Sequence, residues 1–512
     1  MDQTLAYPLE RENLSEIDVV CLFGALEEAA LARLTKWLTK AEERYLIIVE
    51  EREELFLQMK ESALGKNPRV RLFFHQQGED AIFALIAWEF LYLRFHYALG
   101  VEEKRTDAAR FFKTLQAAQT EVHLLASDCQ DLGEKVLRNS LHNLSFLPKS
   151  FATSALKGCL QGVPAVVCGA GPSLGQEVAR LGQLKEQAVL MAAGSAMRAL
   201  SAGGAIPHMA AMICPDHPYQ RFASQEHFEV PLFYQSRVAS HVLELAHAPL
   251  GWTAASGSSP LEHWLAEACG LSTANFPSGW TVANFAVALA AQFGCNPIIL
   301  VGMDFCCAGE AVYASGIEAT EHRDGFVTCQ NMQGRKCRSK RDWMMSAEWI
   351  SAFARAHPEI QWINTSASGL AIEGVPNSSL EQVLRSHSWH QQEIVARFNA
   401  AIRSAGTLPI TLERVQAVRA KLQSSFARAA GLCDELLGLW QKSYPGSPMQ
   451  KGDYALREVE LEQEICVQHF LSPLWEIWKH PIYRKESHTF GRALHRILFF
   501  KRALEANLKV FA

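Results

Sequence analysis

The chain has 512 residues, and since single hydrophobic cores stop growing at about 250–300 residues, it folds as several units rather than as one small module. Its 49% hydrophobic and 20% charged residues are those of a packed globular protein and exclude a largely disordered chain. Lys and Arg number 49 against 54 Asp and Glu, a net charge of -5, which supplies no field for general nucleic-acid binding, so no nucleic-acid partner is expected.

The first residues, MDQTLAYPLERENLSEID, are polar and acidic. They lack the basic and apolar regions of a secretory signal, and a cytoplasmic location is expected. Residues 17–23, IDVVCLF, end at Gly24 and precede apolar residues at helical spacing in LEEAALARLTKWLTKA, a strand followed by a helix. YLIIVEE (45–51) precedes EELFLQMK in the same way, and VRLFFH (70–75) precedes an apolar helix predicted from about Asp80 to Leu99. Strands alternating with helices predict a small Rossmann-like α/β domain over 1–150, closed by connecting helices.

A second α/β series begins at Pro164. Strands are predicted at 165–169, 188–194, 209–215, 231–236, 297–303 and 360–364, with helical stretches between most of them, so the central domain, 151–385, is a doubly wound parallel sheet. The apolar stretch Thr281 to Gly302 contains Asn284, Gln292 and Asn296-Pro297 and is too interrupted to cross a bilayer. Beyond Leu384 strand signals vanish. Residues 412–441, 454–480 and 490–510 repeat apolar positions every three or four, broken by SYPGSPMQKGD (443–453), so 386–512 is predicted to be a helical bundle. Its last segment, 481–512, carries seven Lys or Arg against two Glu, which reads as a solvated basic face. The 13 cysteines contain no CxxC pair, which excludes zinc ribbons and a disulfide scaffold.

Chemistry concentrates at the predicted strand ends. VVCGAGPSL (166–174) runs from a strand through Gly169, Gly171, Pro172 and Ser173 into a helix, the pattern of a phosphate cradle, because glycines permit close backbone approach and free helix N–H groups attract anions. Leu174 stands where a dinucleotide fingerprint needs Gly, and no GxxxxGK[ST] occurs, so neither NAD nor P-loop chemistry is supported. Ser195, Asp216, His217, Asp304 and Asn364 follow other strands and in an open parallel sheet all lie on the ligand-binding edge. Asp216 and Asp304 together either hold Mg²⁺ with substrate phosphates or orient sugar hydroxyls. Ser278, Gly279 and Thr281 open a second helix at that edge. Between Asp304 and Trp343 lies a polar, Gly-containing stretch long enough to be an active-site flap, with Tyr313, His322 and Arg323 as its reactive candidates.

Four segments in order, VVCGAGPSL, AVLMAAGSAMRALSAGGAIPHMAAMICPD, SGWTVANFAVALAAQFGCNPIILVGMDF and WINTSASGLAIEGV, closely resemble the domain shared by the motility accessory factors (Maf flagellin glycosyltransferases) and the MptE-like 6-hydroxymethylpterin diphosphokinases of bacteria and their relatives. The resemblance spans about residues 150–385, and CLFGALEEA with YLIIVEEREELF resembles the small α/β unit that precedes it in longer Maf-type proteins. It implies a Rossmann-type core whose glycine turn receives a nucleotide. In the Maf reading the donor is a CMP-activated nonulosonic acid and the acceptor a flagellin-like Ser or Thr. In the diphosphokinase reading ATP and Mg²⁺ act on a pterin. Carried over by position, Gly169, Gly171 and Ser173 take the nucleotide turn, Asp216 ends the PD motif, Thr281 starts the helix, Asp304 holds the GxD position and Asn364 is the late Asn. The chain on either side of the shared domain favours glycosyl transfer with no tightly bound cofactor. An inactive nucleotide-binding or interaction protein is the third reading.

Overall fold

The computed structural model describes residues 14–511 except 25–27, 76–78, 100–104, 219–228, 255–259, 274–275, 318–324, 387–388, 443–450 and 486–488. These described residues form two compact units, one within 14–129 and 474–496 and the other within 130–473 and 497–511.

In the first unit β1 (Val19–Phe23), β2 (Tyr45–Glu50), β3 (Val70–Phe74) and β4 (Phe95–Leu99) pair in the order β3-β2-β1-β4, all parallel. Successive side chains of a strand point to opposite faces. Val19, Cys21 and Phe23 accordingly join one core with Ile86, Phe111 and Phe112, while Val20 and Leu22 join another with Leu34, Trp37 and Leu38. The α/β pattern predicted for this region is borne out, with one difference. The helix predicted to reach Leu99 ends at Glu89, and Phe95–Leu99 is the fourth strand. Its five residues are equally apolar in either state, so periodicity alone does not separate them. Tyr92, at φ 66°, turns the chain so that this segment pairs with β1.

In the second unit β5 (Ser150–Ala152), β6 (Ala165–Cys168), β7 (Val189–Ala193), β8 (Met209–Met212), β9 (Leu232–Tyr234), β10 (Leu250–Trp252) and β11 (Ile298–Val301) precede a separate antiparallel hairpin, β12 (Phe326–Gln330) with β13 (Lys336–Lys340), and a last strand, β14 (Trp362–Asn364). Eight of them form one parallel sheet in the order β14-β11-β6-β7-β8-β9-β10-β5. β6, β7, β8 and β11 are buried along their whole length, as strands covered by helices on both faces must be. The helix Val282–Gln292 lays Phe285 and Leu289, and its C-cap Phe293, into a core with Val167, Met191, Met209 and Phe233. The doubly wound sheet matches the sequence reading. β5 and β10 were not predicted: three residues each at the far end of the sheet are too short to show an alternation. The hairpin was not predicted either, since that stretch reads as aperiodic, yet Gly334 at φ 74° closes its turn. A helical C-terminal region follows, with Leu412–Lys442 its longest helix. Among the described residues no helix is long and apolar enough to cross a membrane.

Candidate functional site

The chain passes from β6 outward through β7, β8, β9 and β10, then returns to place β11 on the other side of β6. The crevice beyond the carboxyl ends of β6 and β11 is therefore the switch point, where open α/β sheets bind ligands. Each strand is followed directly by a glycine, Gly169 and Gly302, where the two backbones nearly touch. A Cβ on Gly169 would stand 2.6 Å from the Gly302 carbonyl oxygen, and one on Gly171 2.6 Å from the same atom and 2.5 Å from Asp304 Oδ2. Gly302 itself sits at φ 65°.

Asp304, 3% exposed, turns its carboxylate onto the start of the helix Leu174–Leu181. The Ser173 N–H donates to Oδ2 at 2.7 Å, the Ser173 hydroxyl to Oδ1 at 2.7 Å, and the Ser366 hydroxyl also to Oδ1. A helix N-terminus attracts an anion, and here the protein supplies one of its own. The cradle expected of Gly169–Ser173 is thus occupied in part by an internal carboxylate, and Asp304 is placed to position this turn rather than to meet solvent. Ala314 donates its N–H to the Ala170 carbonyl at 2.9 Å, so the stretch carrying Tyr313 runs alongside the same turn. Tyr313 stands edge-on to Trp343, ring centroids 6.2 Å apart. Asn364, 1% exposed, receives the Ser366 N–H at 3.2 Å and thereby shapes the segment that brings Ser366 to Asp304.

A second group lies beyond β7, β8 and β9. Ser195 precedes the helix Ala196–Ala202, and its hydroxyl is 3.5 Å from Nε2 of His217, a buried residue. Asp216 is exposed and pairs with Lys135 at 2.5 Å. Lys135 begins a stripe at helical spacing on Arg105–Asn143. Asn139 donates to the carbonyls of Pro215 at 2.9 Å and Arg237 at 3.1 Å, and Asn143 to those of Ser236 at 2.8 Å and Val238 at 2.7 Å. One helix face therefore holds the loops after β8 and β9. His241 follows those loops, and burial, opposed by the charges of Glu244 and Asp216, lowers its pKa below the usual histidine value. Ser278, 3% exposed, accepts from Gln235 Nε2 at 3.1 Å. Gly279, at φ 61°, leaves no room for a Cβ against Asn284. Thr281 caps the helix Val282–Gln292: its N–H donates to Asn284 Oδ1 at 3.1 Å and its hydroxyl meets that of Ser346. Ser278, Gly279, Thr281 and Asn364 are thus built into the scaffold.

The switch point and the β7–β9 group do not merge. Asp216 and Asp304 end strands separated by β6 and β7, roughly 14 Å apart at the usual strand spacing, so they do not share one cation. Among the described residues no group of three His, Cys, Asp or Glu is placed to hold a metal ion. His322 and Arg323 lie outside the described residues. His217 stands beside Asp216 at a strand end, as expected from the sequence, whereas Asn139 and Asn143 were not expected, because polar residues on a helix give no sign of the loops they bind.

A doubly wound α/β protein with a glycine turn and an acidic residue at its switch point is the class defined by this geometry. Residues 138–310, within the second unit, match the family described as 6-hydroxymethylpterin diphosphokinase MptE-like. The fold is similar to that of the MAf glycosyltransferase from Magnetospirillum magneticum AMB-1, with a TM-score of 0.55 and 16% identity over 96% of this chain and 78% of that one, a likeness of fold. No curated protein matches the chain.

Proposed function

We propose that the protein is a nucleotide-sugar-dependent glycosyltransferase that moves a nonulosonic sugar from a CMP-activated donor to a Ser or Thr of a protein acceptor. The supporting observation is that the likeness to a Maf glycosyltransferase extends over 96% of the chain, well beyond the segment matched by the MptE-like family. The acceptor oxygen attacks the anomeric carbon as the bond to the CMP phosphate oxygen breaks, and the phosphate takes the bonding electron pair. The glycine turn, held by Asp304, is the element offered to the nucleotide. The proton of the acceptor hydroxyl passes to a base at the β7–β9 edge, where Asp216 is exposed and His217 adjoins Ser195. Tyr313, beside the turn, lines the donor side.

The family name favours a second reading, diphosphoryl transfer from ATP to a pterin with Mg²⁺ carried in on the phosphates. Asp304's commitment to its own helix start favours a third, an inactive interaction protein that does not take a nucleotide there. Calorimetric titration with CMP, CTP, ATP and a hydroxymethylpterin, with and without Mg²⁺, separates the three. Preference for CMP or CTP supports glycosyl transfer, ATP with pterin supports the diphosphokinase, and silence throughout leaves the inactive reading.

A further inference from the structure

The hairpin β12–β13 carries a charge pattern that the proposed reaction does not use. Residues 335–341, RKCRSKR, hold five cations and no acid in a chain of net charge -5. Alternation divides the hairpin into two faces. Cys337 and Ser339 turn inward, with Cys337 Sγ 3.4 Å from Cys329 Sγ and the Ser339 hydroxyl donating to the Phe305 carbonyl at 2.6 Å. Lys336, Arg338 and Lys340 therefore share the outer face, opposite Gln330, Thr328 and Phe326. They form a row of cations about 7 Å apart, two strand residues per step. Arg338 pairs with Glu310 at 3.2 Å, whereas Lys336 and Lys340 make no ion pair among the described residues. Lys340 Nζ instead lies 5.3 Å from the ring centres of both Phe326 and Trp343.

The row is fastened to the switch point. Cys307, three residues past Asp304, donates its N–H to the Arg338 carbonyl at 2.8 Å, and Met332 donates to the Gly369 carbonyl at 3.0 Å. We propose that the outer face of this hairpin docks an extended acidic polypeptide segment of the acceptor, which deepens and rests on the glycosyltransferase reading. A step of about 7 Å matches alternate side chains of an extended peptide. The row is also longer than one phosphate, and the net negative charge of the whole chain disfavours a long nucleic acid.

The test is fluorescence anisotropy of the full chain with a labelled decapeptide of alternating Glu and Ser, a Gln and Ser counterpart, and a short single-stranded DNA of equal charge. The acidic peptide is expected to bind best and to weaken about tenfold as salt rises from about 50 to about 200 mM. Lys336→Gln with Lys340→Gln is expected to weaken it roughly fivefold, while Glu310→Gln, which releases Arg338, strengthens it. Equal binding of the two peptides, no binding, tighter binding of the DNA, or indifference to both variants overturns the proposal. Calorimetric binding of CMP, measured on the same samples, reports separately on the glycosyltransferase reading.

Discussion

The Asp304 carboxylate accepts both the N–H and the hydroxyl of Ser173, each at 2.7 Å, from a position 3% exposed. An internal anion at a helix start carries a stability consequence apart from any ligand. Asp304→Asn presents one acceptor where two are needed and is expected to cost about 2–3 kcal/mol, read as a lower urea midpoint in the absence of any nucleotide.

Gly171→Ala tests the same contact from the other side. Its Cβ would meet a backbone oxygen at 2.6 Å and Asp304 Oδ2 at 2.5 Å, so strand ends or carboxylate must move, for about 2–3 kcal/mol. Equilibrium unfolding should place this variant near Asp304→Asn, and the double mutant should fall short of the sum because the two sites touch.

Asp216 provides the contrasting case. Its pair with Lys135 has side chains 59% and 44% exposed, and such pairs contribute less than about 1 kcal/mol. Asp216→Asn is therefore expected to leave the urea midpoint nearly unchanged while lowering sugar transfer to a peptide acceptor. Asn139→Ala, which removes the donor to the carbonyls of Pro215 and Arg237, should lower both stability, by about 1–3 kcal/mol, and transfer.

Acid stability should depend on His208. It lies at the amino end of β8, where its Nδ1 accepts the Leu190 N–H at 2.9 Å, and burial lowers its pKa to about 4. The unfolded chain binds the proton first, so this contribution is whole above about pH 6.5 and is lost as pH falls toward 4. The full loss is about 3 kcal/mol. His208→Gln is expected to flatten that part of the stability curve between pH 6.5 and 4.

Thiol chemistry supplies a last check. Burial, with the contact to Cys337, pushes the Cys329 thiol up to about 12, and only thiolates alkylate readily. Iodoacetamide labelling of Cys329 in the native protein, followed by peptide mass spectrometry, should be slow at neutral pH and rise about tenfold per pH unit.

Six of the eight strands of the central sheet, the glycine turn after β6 and the acidic residue after β11 were legible because each rests on local chemistry. Continuous apolar runs mark strands buried on both faces, and Gly169, Gly171 and Gly302 stand where backbones must approach. The sequence likewise carries the family likeness in four ordered segments. Tertiary structure alone decided the rest. Phe95–Leu99 became a strand because β1 had an open edge to pair with. Residues 474–496 joined the first unit, where Trp478 stacks on Tyr92 at 6.1 Å, because an apolar helix face does not specify its partner. Whether Ser173 greets a ligand or a carboxylate of its own chain depended on Asp304, 131 residues away, and spacing along a chain carries no information about which distant group will fill a helix N-terminus.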